Sequence, residues 1–304
     1  MTKLYLVTGF LGAGKTTFLH QFVRLFPDKR LALVVNEFGR EGVDGALLSD
    51  LGITLTEIDN GSIFCACKLE QFEEALIALL EQAPDLIFVE ASGLSDSTSV
   101  RSILGQRDKF AQVEYAGAIC LVDAARFQKV YQTARVCRMQ LAISDLVLIN
   151  KADLGTPEQI EAIRTAVLAQ KPNRPVHETT FGQVKAEWLE EMERPAPAEG
   201  PLEIHTRDIT LQRLNLAVEG FDLKSLTSFL KMFAEDTYRI KGLVRLPEGV
   251  YLADCVGPLV EVRPFEGDAP VQNNLAVLFG NGLPAKKSIK EAISWFPNCT
   301  VTLS

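Results

Sequence analysis

Leu4-Tyr5-Leu6-Val7-Thr8-Gly9-Phe10-Leu11-Gly12-Ala13-Gly14-Lys15-Thr16 is the stretch from which the rest of this chain can be read. Leu4 to Val7 is an apolar run with the character of a strand. Gly9 to Thr16 then fits GxxxxGK[ST], a loop whose backbone N–H groups wrap phosphates. In that pattern Gly9, Gly12, Ala13 and Gly14 bring the main chain against the ligand. Lys15 reaches the β- and γ-phosphates, and the Thr16 hydroxyl ligates Mg²⁺. Thr17 completes the expected nucleotide contacts. A helix is expected from Thr16 to Phe26, with Phe18, Phe22 and Leu25 apolar. Strand before and helix after make the short motif specific.

A second stretch bears on the base. Asp145-Leu146-Val147-Leu148-Ile149 reads as a short buried strand, and Asn150-Lys151-Ala152-Asp153 follows it. A carboxylate at Asp153 can accept two hydrogen bonds, from guanine N1–H and the exocyclic amine. Adenine has no such donor pair. Asn150 would brace the loop, and the Lys151 stem would lie over the base. The nucleotide expected is therefore GTP, with Mg²⁺. A polar turn with Asp153 as a helix cap is the plainer alternative.

The chain has 304 residues, 47% of them hydrophobic, with a net charge of −8. That length suits two domains, and the acidic balance disfavours nucleic acid or an acidic membrane surface as partner. No apolar run reaches the roughly eighteen residues of a membrane span. The first strand begins at Leu4, where a signal peptide would lie, so a cytoplasmic location is expected. In that compartment six cysteines suit buried thiols or metal ligands better than a disulfide framework.

Strand patterns recur at Leu4–Thr8, Leu31–Asn36, Leu55–Ile58, Leu86–Glu90, Ala118–Val122, Leu146–Ile149 and Val176–Thr179. Helical patterns lie between several of them. In Leu69–Gln82, for example, Phe72, Leu76, Leu79 and Leu80 share a face. The expectation is an α/β domain over residues 1–190, a doubly wound, mostly parallel sheet with ligands at the carboxyl ends of its strands. Residues 191–201 hold three prolines and a glycine and read as a linker. Residues 202–304 read as a smaller α+β domain. Its strands are expected near Ile209–Val218, Tyr238–Leu246, Gly249–Val256, Leu259–Arg263 and Leu275–Phe279, with helices near Leu223–Phe233 and Ala285–Phe296.

Between the two nucleotide motifs lie further chemical groups. Asn36-Glu37-Phe38-Gly39 and Asp44 fall where a nucleotide-sensing switch would lie. Glu37 there could touch Mg²⁺ through water, ligate another metal, or simply face solvent. Glu90-Ala91-Ser92-Gly93 ends a strand. Glu90 can position Mg²⁺ or the attacking water, and the Gly93 N–H can approach the γ-phosphate. A serine cap at Ser92 or Ser95 is the alternative. Lys15, Glu90 and Glu37 are thus the catalytic candidates. Asp123 follows the next strand and is open to a site role or none.

Cys65 and Cys67 stand two apart just before a helix, where an extended chain turns both sulfurs to one side. With Glu37 as third ligand, and a water or a second copy of the chain in a homodimer as the fourth, they could hold a metal. Two small packing residues would look the same. Cys120, Cys137, Cys255 and Cys299, and the scattered His20, His177 and His205, lack ligand-spaced partners and read as structural.

Taken together, Gly9–Thr17, Asn36–Gly39 with Asp44, Glu90–Leu94, Val122-Asp123-Ala124 and Gln140–Leu154 resemble the CobW-like family of P-loop GTPases. These are relatives of the urease and hydrogenase nickel-insertion GTPases. Arg239-Ile240-Lys241-Gly242 looks like the family's RxKG segment. The resemblance implies a GTPase domain followed by a CobW C-terminal domain. It also implies a GTPase that moves or inserts a metal, or serves a client metalloprotein or corrinoid-dependent enzyme. The family carries GCxCC where this chain has Gly61-Ser62-Ile63-Phe64-Cys65, so metal binding carries over at Cys65, with Glu37 matching an acidic family position. Zn²⁺ or another transition metal is the implied cargo. A metal-free switch that recruits a client is the rival.

Overall fold

The structure, a computed structural model, describes residues 1–35, 54–57, 69–91, 93, 104, 107–192, 211–267 and 271–304. The chain divides into two compact units, residues 1–208 and 209–304.

The first unit is built on a seven-stranded sheet of β1 (Thr2–Gly9), β2 (Leu31–Val35), β3 (Thr54–Glu57), β4 (Leu86–Glu90), β5 (Val113–Asp123), β6 (Leu146–Asn150) and β7 (Val176–Glu178). The order is β3-β2-β4-β1-β5-β6-β7, and every pairing is parallel. The helices are α1 (Lys15–Val23), α2 (Leu69–Glu81), α3 (Arg107–Phe110), α4 (Phe127–Thr133), α5 (Arg135–Ile143), α6 (Pro157–Gln170) and α7 (Ala186–Met192).

Alternation along β1 shows why both faces of the sheet must be covered. Tyr5 and Val7 enter a core with Phe18 and Phe22 of α1, and Leu189 and Met192 of α7. Leu4 and Leu6 enter a second core with Phe72, Leu76 and Leu79 of α2, and Ile143 of α5. A strand buried on both sides reads as a continuous apolar run, and that is how Leu4–Val7 reads. β2, β3 and β4 lie on one side of β1, and β5, β6 and β7 on the other. The loop after β1 therefore sits where the winding reverses, the place such folds reserve for ligands.

An aromatic cluster fixes α1 under its loop. The Phe22 ring lies 5.3 Å from Tyr5, 4.9 Å from Phe88 and 5.0 Å from Phe18, and is fully buried. Phe22→Ala is expected to lower unfolding stability by about 3–5 kcal/mol, read from urea denaturation, because the cavity it leaves cannot collapse between helix and sheet. A loss below 1 kcal/mol would contradict this packing.

Three boundaries differ from the sequence reading. The first helix ends at Val23, and the chain leaves through 3₁₀-like bonds, Leu25 N–H to Phe22 and Phe26 N–H to Val23. Pro27 follows, and the residue before a proline is pushed out of helical geometry. The expected linker starts late, because Glu191 and Met192 still belong to α7. Met192 is buried in the first core and lies against Gly117 of β5. Residues 193–201 of that segment lie outside the described residues. The third difference falls in the second unit.

That unit has β8 (Leu211–Glu219), α8 (Leu223–Lys231), β9 (Arg239–Leu246), β10 (Gly249–Val256), β11 (Leu259–Pro264), β12 (Asn274–Gly280), α9 (Ala285–Ser294) and β13 (Thr300–Leu303). Its six-stranded sheet has the order β11-β10-β9-β12-β8-β13 and is antiparallel. Leu226 and Phe229 of α8, with Ile289 and Ala292 of α9, pack on Leu216, Ile240, Cys255 and Val277. The sequence reading lacked β13. It is four residues long and half exposed, and only its pairing with β8 defines it. In the RxKG-like segment, Arg239 forms a two-pronged bond to Asp254 on β10, at 3.2 and 3.0 Å, which a lysine could not reproduce. Among the described residues, no helix is long and apolar enough to cross a membrane.

Candidate nucleotide site

β1 delivers its C-terminal end to the centre of the sheet, and the chain turns there through Gly9 (φ 143°), Gly12 (φ 76°) and Gly14 (φ 93°). Gly14 is the N-cap of α1. No side chain caps that helix start, and no acid stands in its first turn. A helix start of this kind favours an anion. The Lys15 ammonium donates to the Gly9 carbonyl at 3.0 Å and so spans the loop from end to start. Lys15 is buried, Thr16 half-buried and Thr17 exposed.

The base-reading stretch lies beside this loop, and one side chain explains how. Asn150 ends β6 at 2% exposure. Its amide donates to the Ala13 carbonyl at 2.8 Å, and its side-chain oxygen accepts from the Gly182 N–H at 3.0 Å. A Cβ at position 14 would collide with the same Asn150 amide. Glycine there thus serves two needs, a left-handed turn and room for a side chain from another strand. Lys151 follows with φ 58° and Asp153 lies exposed in a 3₁₀ turn, Ala152–Leu154. Asp153 is not the cap of the next helix. Thr156 caps α6, with Gln159 returning the bond and Pro157 in the first turn. The simple capping alternative therefore fails, and Asp153 has its carboxylate open to solvent.

Asp123, at the end of β5, is drawn into the same assembly. One carboxylate oxygen accepts from the N–H groups of Ala125 and Arg126, at 3.0 and 3.2 Å. The other pairs with the Lys151 ammonium at 2.7 Å. Asp123 is 8% exposed, so this charge is held in a direction and not screened away. The pair fixes the position of the Lys151 ammonium.

Glu90 ends β4 in register with Val7 of β1 and Val35 of β2, and is 9% exposed. The Ala91 N–H bonds to Val7. A Cβ on Gly93 would come within 2.7 Å of the Leu11 backbone nitrogen, so this segment rides directly on the phosphate loop. The buried Gln140 amide holds the Gly93 carbonyl at 3.3 Å. The sequence reading names Gly93 and Glu90 as site candidates but not Gln140. It also misses the turn at Thr179–Gly182, whose only sequence signal is a glycine after a strand.

The remaining candidates fall into two groups, those outside the described residues and those the structure buries or pairs. Asn36, Glu37, Asp44, Cys65, Cys67, Ser92, Ser95 and His205 lie outside the described residues. Among the described residues, no group of three His, Cys, Asp or Glu side chains could hold a metal. Cys120, Cys137 and Cys255 are buried. Burial pushes Cys120 and Cys255 up to about 12 and Cys137 upward as well. Thiols held protonated pack and do not ligate. His177 stacks on Trp188 at 4.4 Å and bonds to Glu191 at 2.9 Å.

Phosphate grip and base loop thus form one hydrogen-bonded unit, which is how a P-loop nucleotide-binding domain is made. Residues 3–178 match the family described as CobW/HypB/UreG, nucleotide-binding domain, and the chain belongs to that family. It is 35% identical over 167 residues to the zinc chaperone YeiR of Escherichia coli, covering 54% of this chain and 51% of that protein. It is 30% identical over 211 residues to the zinc chaperone CobW of a Sinorhizobium species, covering 59% of each. The chain therefore spans between 51 and 59% of the length of these two relatives. Among solved structures it is similar to the Zn(II)-bound YjiA GTPase of E. coli, with a TM-score of 0.49 and 19% identity, over 97% of this chain and 98% of that one.

Proposed function

We propose that this chain binds GTP with Mg²⁺, hydrolyses it, and couples its nucleotide state to the handling of Zn²⁺ or another transition metal, or to docking of a client metalloprotein in the cytoplasm. The observation that carries the GTP reading is the Asn150 bridge, which sets the Asp153 turn beside the phosphate loop. The zinc part is supported by the names of the relatives.

In this reading Gly9, Gly12, Ala13 and Gly14 offer backbone N–H groups to the phosphates, with Thr17 beside them. Lys15 leaves the Gly9 carbonyl for the β- and γ-phosphate oxygens and carries the charge that builds up during transfer. Oxygen donors suit Mg²⁺, and the half-buried Thr16 hydroxyl with the buried Glu90 carboxylate fits that preference. Mg²⁺, when bound, neutralises phosphate charge. Glu90, with Glu37 as the other candidate, orients the attacking water in line with the leaving oxygen. Gly93 senses the γ-phosphate, a role supported by its close approach to Leu11 of the phosphate loop. Glu37, Cys65 and Cys67 are the proposed cargo ligands, a homodimer being one source of a fourth. If GTP changes metal affinity, metal changes GTP affinity by the same factor.

The test is an anaerobic titration with Zn²⁺, Co²⁺ and Ni²⁺ in Mg²⁺ plus either a non-hydrolysable GTP analogue or GDP. It is run on wild type and on Cys65→Ser/Cys67→Ser. Nucleotide-dependent binding that vanishes in the double variant is expected, and equal metal affinity in both nucleotide states would overturn the coupling. Ser62 and Phe64, at positions where the family resemblance calls for cysteine, favour a second reading: a metal-free GTP switch for a client. The double variant would then function normally.

A further inference from the structure

Phe181 has no part in the proposed function as argued so far, yet it is unusual in three ways. It is a large aromatic residue with 70% of its surface exposed. Its φ is +53°, a left-handed conformation that is an outlier for a bulky side chain. It also sits in a loop fastened at points that flank the base-reading lysine.

Those fastenings are specific. The Thr179 carbonyl accepts from the Ala152 N–H at 3.1 Å, and the Gly182 N–H donates to the Asn150 side chain at 3.0 Å. Residues 179 and 182 are thereby tied to 152 and 150, the residues on either side of Lys151. The Thr179 hydroxyl closes the loop on the Gln183 carbonyl at 2.7 Å. Gly182 is pressed against the first turns of α1, where an added Cβ would come within 2.6 Å of the Phe18 backbone. Phe181 is left at the tip, its backbone bent and its ring outside the core. Strained residues of this kind persist where the surroundings over-determine them, commonly at ligand clamps.

We propose that Phe181 is a wall of the base pocket, laying its ring against the face of the purine while the Lys151 stem supplies another wall and Asp153 reads the edge. Aromatic stacking adds affinity for any purine, whereas Asp153 supplies discrimination. The proposal rests on the nucleotide reading above. It makes Phe181 a contact for the base alone, shared equally by GTP and GDP.

The experiment measures GDP and GTP-analogue affinity by calorimetry for wild type, Phe181→Ala and Phe181→Trp, with ADP as control. Phe181→Ala is expected to weaken both guanine nucleotides about tenfold and by the same factor, since loss of one stacked ring costs on that order. Its thermal midpoint should stay that of wild type, the ring being exposed. Phe181→Trp should keep affinity within about threefold and show a change in indole emission on GDP binding that wild type lacks. An unchanged affinity in Phe181→Ala, or no emission change at saturating GDP in Phe181→Trp, would overturn the assignment while leaving GTP binding intact. A wild type that binds no guanine nucleotide would overturn both readings.

Discussion

Asp153→Ala is expected to abolish the preference for guanine over adenine nucleotides. In the proposed reading the exposed carboxylate accepts two hydrogen bonds from the guanine edge. Each hydrogen bond to a charged group contributes roughly 1.5–3 kcal/mol, so GTP and GDP affinity should fall on the order of 10²- to 10⁴-fold. ATP affinity, which never used the carboxylate, should move less than threefold. The fold should be indifferent, because the side chain is exposed in a turn and α6 has its own cap in Thr156. Asp153→Asn adds a sharper readout. Its amide can donate to a carbonyl at the purine 2-position, so xanthine nucleotides should gain where guanine nucleotides lose. Competition of labelled GDP by unlabelled nucleotides measures all of this. An Asp153→Ala protein that still prefers GTP would sink the base assignment.

Asn150→Ala is expected to damage stability and nucleotide binding together. Its side chain satisfies two buried backbone groups, the Ala13 carbonyl and the Gly182 N–H. Leaving a buried polar group unpaired costs about 1–3 kcal/mol, so the substitution should cost roughly 2–5 kcal/mol, a large share of the 5–15 kcal/mol typical of a whole protein. Affinity for ADP, GDP and GTP should all weaken, since the phosphate loop loses its brace. Asn150→Asp keeps the acceptor for Gly182 but turns an anion toward the Ala13 carbonyl, and should be no better on the phosphate side. Chemical denaturation and nucleotide calorimetry on the same samples check both arms. Loss of affinity without loss of stability would mean that Asn150 touches the nucleotide and does not brace the loop.

These expectations differ in how far they could be read without coordinates. The phosphate loop was legible because each of its residue types has a mechanical reason, and the central strands because burial on both faces leaves unbroken apolar runs. The Leu69–Glu81 helix was legible because Phe72, Leu76 and Leu79 repeat at helical spacing, and all three are buried. What escaped depends on register. Nothing in the sequence says that Asp123 stands opposite Asn150 across two strands and so reaches Lys151. Gln140 looks like any polar helix residue until its amide is found on Gly93. The Thr179–Gly182 turn follows a strand of only three residues, and reads as a plain connection. β13 carries too few residues for a periodicity to show. α7 outlasts its pattern because Met192 gains a buried place beside Gly117, a tertiary effect that local composition cannot announce.

The Asn150 bridge has a consequence for how the protein comes into being. The phosphate loop leaves the ribosome well before its brace, which comes from a residue 137 positions later, and the turn that completes the brace comes later still. β1 itself waits for β4 and β5, its two neighbours in the sheet of the described residues. Contacts so distant in sequence form late and slowly. A nascent chain that displays the loop is therefore not yet a nucleotide receptor, and the pocket matures only when about the whole first unit has emerged. Chains that end before Gly182 carry the motif but not the brace that holds it.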